Sequence, residues 1–289
     1  MKSAYLDSIY HNVPRKYVDE LLEFRATHPI RRRAIDGVEW NYILRGEGLA
    51  TLLILGGAMS TAETSRSLIG SMEKAYRILA PGYPIYEQMG YFVDGLVTLL
   101  DLEGILRVHI YGHSLGAAIA HVLIRRHPDR VGKLILSSFG LYNERNLRQA
   151  KRFLRLFRLL PYGFVSGYYK RRIPKLLAGI DEGKKSFLAA YMKDVLDLQL
   201  NKAMLMSQFG IMEDMFENPG AYGVYQPTEG RNVLILQAKD DTGFEPDEQA
   251  ALRQTYPHAT VHLFDEGGHL MRATHRSEYD AVLREFLEL

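Results

Sequence analysis

The chain has 289 residues, 47% of them hydrophobic, enough for one large core carrying an insertion. Its 36 Lys and Arg against 34 Asp and Glu leave a net charge of +2, so nothing global points to a nucleic-acid partner. Cysteine is absent, which excludes a disulfide framework and thiolate chemistry. With no apolar run of signal-peptide or membrane-spanning length, the expected compartment is the cytoplasm.

In chain order, residues 15–26 read as a helix, with Val18, Leu21, Leu22 and Phe24 at helical spacing. Residues 30–36 and 38–44 read as strands joined at Asp36-Gly37, a hairpin signal. The apolar run 50–55 is a buried strand ending at Gly56-Gly57. A helix over 62–75, a strand over 77–80 stopped by Pro81-Gly82, and a helix over 92–100 follow. Then come a strand at 108–111, a helix opening at Ala117 and a strand at 133–136. From 141 to 228 the rhythm breaks: no strand is evident, and 148–160, 184–198 and 203–216 read as separate helices. Beyond it the alternation resumes with a strand at 232–237, a helix at 246–253, a strand at 260–264 and a closing helix from 279. Alternating strands and helices predict an α/β fold, a mostly parallel sheet with helices on both faces. The core is expected at 1–140 and 229–289, with 141–228 a helical cap inserted between them.

The chemistry begins at Gly112-His113-Ser114-Leu115-Gly116, a G-x-S-x-G between a strand and a helix. A serine is a poor nucleophile unless it is exposed, held in one orientation and paired with a base. A sharp strand-to-helix turn presents it, and the flanking glycines remove side chains that would clash there. The same turn aims a helix N-terminus at the substrate, so Leu115 N–H becomes a candidate oxyanion donor. A capping serine in a Gly-rich turn would give the same five residues, but the flanking elements favour an elbow.

The nucleophile needs a base, and the base needs an acid to fix its tautomer. On an elbow fold the order is Ser, then Asp or Glu, then His. His269, in Glu266-Gly267-Gly268-His269, follows the last expected strand and is the candidate base. The acid belongs at the end of the strand at 232–237, where Asp240 and Asp241 stand together. Asp241 is preferred, as the fourth position of a turn whose first glycine is replaced by Ala238; Asp240 and the earlier Glu144 are the alternatives. The second oxyanion donor falls in the loop after the strand at 50–55, with Ala58 N–H first and Met59 second. Gly57, Met59 and His113 flank these groups and are the candidate substrate contacts. No histidine pair with a glutamate and no phosphate-cradling loop appears, so neither metal nor cofactor is expected.

Gly56-Gly57, the elbow at 112–116, Asp241 and Gly268-His269 together resemble the α/β-hydrolase family along nearly the whole chain. Within it, Ala80-Pro81-Gly82-Tyr83-Pro84-Ile85-Tyr86, 92–96, 58–62 and 14–29 look similar to the maspardin-like branch. The family resemblance implies a serine hydrolase acting on an ester or related acyl substrate, partly apolar, through Ser114, His269 and Asp241. The branch resemblance implies the alternative of a non-catalytic binding protein, and the fold allows carbon–carbon bond or peptide hydrolysis. In the cap, Phe153, Leu156, Phe157 and Leu160 recur at helical spacing opposite Arg148, Lys151, Arg152, Arg155 and Arg158. The expectation is an apolar side with Phe153 and Phe157 facing inward and a solvated basic side, membrane-surface contact being the other reading.

Overall fold

The computed structural model describes residues 8–177, 179–223 and 233–289. Its sheet is built from β1 (Arg31–Ile35), β2 (Val38–Arg45), β3 (Thr51–Leu55), β4 (Arg77–Pro81), β5 (Val108–His113), β6 (Val131–Ser137), β7 (Val233–Ala238) and β8 (Thr260–Phe264). The eight strands run in the order β1-β2-β4-β3-β5-β6-β7-β8. β1–β2 and β2–β4 pair antiparallel and the other five pairs are parallel. The β1–β2 turn places Asp36 at φ +50° and Gly37 at φ +79°, both in the left-handed region that a tight hairpin demands. β3 and β7 are buried along their whole length, as expected of central strands covered on both faces.

Helices α1 (Arg15–Thr27), α2 (Arg66–Met72), α3 (Met89–Leu102), α4 (Leu115–Arg126), α5 (Glu144–Leu159), α6 (Tyr162–Leu176), α7 (Glu182–Asp194), α8 (Lys202–Glu217), α9 (Pro246–Thr255), α10 (Met271–Thr274) and α11 (Arg276–Leu287) complete the layers. One sheet face packs on α3, α4 and α9 through residues such as Phe92, Leu96, Ile119, Val122 and Leu252. The other packs on α2 and α11 through Leu68, Ile69, Met72, Tyr279 and Leu283. α4 carries Ala117, Ala118 and Ala120, small side chains that let its backbone lie close to the strands.

Helices α5–α8 occupy the stretch between β6 and β7. Three begin where a polar side chain accepts a backbone N–H: Asn143 for α5, Asp181 for α7 and Asn201 for α8. α6 was not expected. Gly163, Gly167 and Pro174 lower its intrinsic propensity, and burial of Val165 and Ile173 against neighbouring helices outweighs that. The helix expected over 62–75 is shorter, Arg66–Met72, and the closing helix starts earlier, at Arg276. Ile211, Met212 and Met215 of α8 join the principal core, so the insertion is anchored to α3 and α4. α1 packs on α7 through Leu21, Phe187 and Tyr191. Residues 224–232, which include the expected end of the cap and Asn232 of the following strand, lie outside the described residues.

Candidate active site

The elbow is the junction of β5 and α4. Ser114 sits at φ +52°, ψ −116°, a conformation a non-glycine residue holds only where its surroundings over-determine it. Its neighbours explain how. A Cβ at Gly116 would stand 2.1 Å from the Leu55 carbonyl oxygen, and one at Gly112 would stand 2.5 Å from the Gly116 carbonyl oxygen. Both positions therefore require glycine. Ser114 N–H donates to the Ser137 carbonyl, tying the turn to β6.

Ser114 Oγ lies 3.0 Å from His269 Nε2, and His269 Nδ1 lies 2.9 Å from Asp241 Oδ1 and 3.2 Å from Oδ2. The three residues, preferred from the sequence, form one hydrogen-bonded line across loops that follow β5, β7 and β8. The Asp241 side chain is 1% exposed. Burial opposes its ionisation, but the hydrogen bond and charge of His269 and the Gly243 N–H at 2.7 Å outweigh that and hold its pKa below the usual carboxylate value.

Asp240 does something else. Its carboxylate accepts N–H bonds from Gly267 at 3.2 Å and Gly268 at 2.8 Å, so it shapes the loop that carries His269. Glu144 lies at the exposed start of α5, paired with Arg148, and is not part of the line. Two further supports escaped the sequence reading. Ser138 is fully buried at φ +48° and donates its hydroxyl to the His269 carbonyl at 3.0 Å. A Cβ at Gly243 would stand 2.6 Å from His269 Nδ1, so only glycine leaves room for the imidazole–carboxylate contact. Gly243 carried a signal, since Asp-Asp-Thr-Gly is turn-forming sequence; Ser138 carried none.

The loop after β3 faces the elbow. A Cβ at Gly57 would stand 3.1 Å from the His113 ring and 3.4 Å from Ser114 Cβ. Tyr83 hydroxyl donates to the Gly56 carbonyl at 2.6 Å and pins the start of the loop. Of the two N–H groups considered as oxyanion donors, that of Met59 is committed: it donates to Gln208 Oε1 of α8 at 2.7 Å. Met59 sits at φ +65°, and Gln208, fully buried, lies on the same face of α8 as Leu205 and Met212. A lone amide in an apolar stripe was the available clue. Ala58 packs against the main core beside it, and Leu115 is the first residue of α4, at the elbow.

The His113 ring lies tilted against that of His269, with ring centroids 5.3 Å apart. Burial, reinforced by the nearby His269, pushes its pKa down to about 3, so it stands neutral beside Ser114. Tyr111 and Tyr279 hydroxyls lie 2.9 Å apart, and Tyr279 hydroxyl donates to Ser137 Oγ at 2.7 Å, a polar underlayer beneath β5 and β6. Above the line, Phe244 stands 6.2 Å from the His269 ring, Tyr142 stacks on Phe216 at 4.4 Å, and Tyr169 stacks on Phe209 at 5.9 Å.

The model of the α/β hydrolase fold family matches residues 68–275, which take in the elbow, Asp241 and His269. The chain belongs to the α/β hydrolase fold family. Among curated proteins, this α/β hydrolase is 25% identical to the 2-hydroxy-6-oxononadienedioate/2-hydroxy-6-oxononatrienedioate hydrolase 2 of Pseudomonas putida, over 90% of this chain and 94% of that one. Among solved structures, a hydrolase from Pseudomonas aeruginosa superposes with a TM-score of 0.75 at 16% identity, over 90% of this chain and 99% of that one. The enol-lactonase from Burkholderia xenovorans superposes with a TM-score of 0.72 at 16% identity, over 90% and 100%. These two show that the fold is shared.

Proposed function

We propose that this α/β hydrolase uses Ser114 as a nucleophile to cleave an acyl-type substrate whose leaving group is carbon, a ketone with an adjacent carbon–carbon bond to be hydrolysed. The observation that carries the serine chemistry is the Ser114–His269–Asp241 line, with both contacts near 3 Å. The carbon leaving group is supported by relatives such as the Pseudomonas putida hydrolase, named for 2-hydroxy-6-oxo dienedioates, rather than by the ester reading reached from sequence. Those relatives also give no support to the maspardin-like branch.

In this reading Ser114 Oγ adds to the ketone carbon and its proton passes to His269 Nε2. Leu115 N–H and Ala58 N–H hold the oxyanion, Met59 N–H being occupied by Gln208. The carbon–carbon bond breaks, and its electron pair stays on the departing fragment, which takes the proton from His269. Water, deprotonated by His269, then releases the acyl group from Ser114 as a carboxylic acid. Asp241 keeps the imidazole in the tautomer that accepts from Ser114. Helices α5–α8 act as the cap, and Phe244, Tyr142, Phe216, Tyr169 and Phe209 form an aromatic wall suited to a planar, partly apolar substrate. Gly57 and Met59 offer backbone and His113 a neutral imidazole to that substrate.

The test has two arms. Fluorophosphonate labelling followed by peptide mapping should place the adduct on Ser114; a folded protein that takes no label overturns the hydrolase reading in favour of a binding protein. Turnover of 2-hydroxy-6-oxo dienoic acids, followed by loss of dienone absorbance, should exceed turnover of p-nitrophenyl esters. Ser114→Ala should lower kcat by about 10³–10⁶-fold with the fold intact. Labelling with ester turnover alone would return the function to an esterase.

A further inference from the structure

Residues 145–180 hold ten of the chain's Lys and Arg and no Asp or Glu, so the remainder of the chain is net acidic. The stretch is α5, α6 and their flanks. Within it Arg148 pairs with Glu144, Lys151 with Glu217, Arg158 with Glu213 and Lys170 with Asp197. Arg172 lies over Tyr168. Arg145, Arg152, Arg155, Arg171 and Lys175 are exposed and meet no carboxylate among the described residues.

The second observation departs from the sequence expectation. The inward side of α5 is Leu154 and Phe157, and Phe153 is at the rim, 37% exposed. The outer face carries Arg145, Arg148, Arg152 and Arg155 and then, in the last turns, Leu156 at 52% and Leu159 at 83% exposure. The turn continues through exposed Pro161 to Phe164, at 70% exposure. α5 and α6 form a hairpin held by Phe157 against Tyr168 and Tyr169, so these apolar residues share its tip, with the unpaired Arg152 and Arg155 one to two turns behind it and Arg145, Arg171 and Lys175 further back along the two helices. Single exposed leucines are ordinary, but three large apolar side chains at one turn beside unpaired cations are not explained by solvation. Polyanions such as nucleic acid would use the cations and leave the tip in water. A bilayer with anionic headgroups satisfies both, the tip entering the acyl boundary and the cations meeting phosphates. No helix among the described residues is long and apolar enough to cross a membrane, so such contact is peripheral.

We propose that the α5–α6 hairpin is a docking surface for an anionic lipid bilayer, with Leu156, Leu159 and Phe164 inserted and Arg152 and Arg155 on the headgroups.

The chain has a single tryptophan, Trp40, and it is 0% exposed, so a Phe164→Trp variant supplies an independent reporter at the tip. Full-length protein is sedimented with phosphatidylcholine vesicles, with and without phosphatidylglycerol, at low and high salt. Binding should require phosphatidylglycerol, fade as salt rises, and fall more than about tenfold in Arg152→Glu/Arg155→Glu. Leu159→Ser/Phe164→Ser should weaken binding while keeping its salt dependence, and Phe164→Trp emission should shift to the blue on binding. Both double variants should keep wild-type turnover of a soluble substrate, which shows that they fold. Absence of binding, equal binding to neutral vesicles, or an unshifted Phe164→Trp spectrum overturns the proposal. So does tight binding to duplex DNA unaffected by Leu159→Ser/Phe164→Ser, or a self-association by light scattering that those substitutions abolish.

Discussion

Asp240 and Asp241 are adjacent in sequence and opposite in task. Asp241 accepts from the imidazole, and Asp240 accepts two N–H groups from the glycines that lead into His269. Asp241→Asn should therefore lower kcat by about 10⁴-fold, because an amide can stabilise the wrong tautomer of the base and cannot hold the imidazolium. Asp240→Asn keeps one oxygen acceptor and should cost less than about 10²-fold, through a loosened loop. Steady-state kinetics of the two variants on one substrate decide the ranking, and the reverse order would transfer the acid role to Asp240. The sequence narrowed the acid to this pair because the end of a strand is a local feature. It could not separate the two, since neighbouring residues in a turn point to different sides and only the incoming loop, 27 and 28 residues later, shows which side faces the histidine.

At the scale of elements, what was legible depended on distance along the chain. The elbow was readable because its strand, glycines and helix are consecutive, and the Asp36-Gly37 turn because its two positive φ angles are a property of the dipeptide. α6 was missed because its propensity is poor and its stability comes from other elements. The tie between α8 and the loop after β3 was missed for the same reason: Gln208 and Met59 are 149 residues apart. That tie yields a prediction. Gln208→Leu keeps the volume and removes the acceptor, leaving the Met59 N–H without its partner at about 1–3 kcal/mol. The loop bearing Ala58 should then sample other positions, so kcat should fall while KM changes little. Gln208→Glu keeps an oxygen in the same place and should recover part of kcat, although it loses the amide contact to the Ser60 carbonyl at 3.4 Å. A merely structural role would lower the melting temperature of both variants without the rescue of kcat, and that result would separate the α8 contact from the proposed oxyanion function of the loop after β3.

At the scale of the whole molecule, the layers are locked by polar groups that have one workable charge state. Arg25 of α1 donates to both oxygens of Glu63, after β3, and to Asp194 at the end of α7, while the Tyr10 hydroxyl donates to Asp194 and the Tyr191 hydroxyl to Glu63. The cluster joins α1, the segment after β3 and the end of α7, and its carboxylates stay paired as long as they are ionised. On the other sheet face His121 of α4 is 3% exposed between Tyr256, whose hydroxyl is 2.7 Å from Nδ1, and Arg125, 3.1 Å from Nε2. Burial, then the Arg125 charge, pushes its pKa down to about 3. His113 is shifted in the same direction. A histidine whose folded pKa lies below its unfolded value near 6.5 binds its proton more readily in the unfolded chain. Its neutral-state packing is thus intact above pH 6.5, and stability is lost as pH falls from there toward about 3. At pH 5 the loss from His121 alone should be about 2 kcal/mol, a figure that needs only a folded pKa well below 5. For a chain of this length that corresponds to a melting temperature lower by about 3 °C. His121→Asn keeps a polar group against Tyr256 and cannot take up the proton. It should be less stable than wild type at pH 7.5 and lose less between pH 7.5 and 5. The quantity to compare is the difference between the two melting-temperature drops, because groups shared by both proteins cancel in it. Equal drops in wild type and variant would mean that Arg125 moves aside and lets a charged His121 be solvated in place.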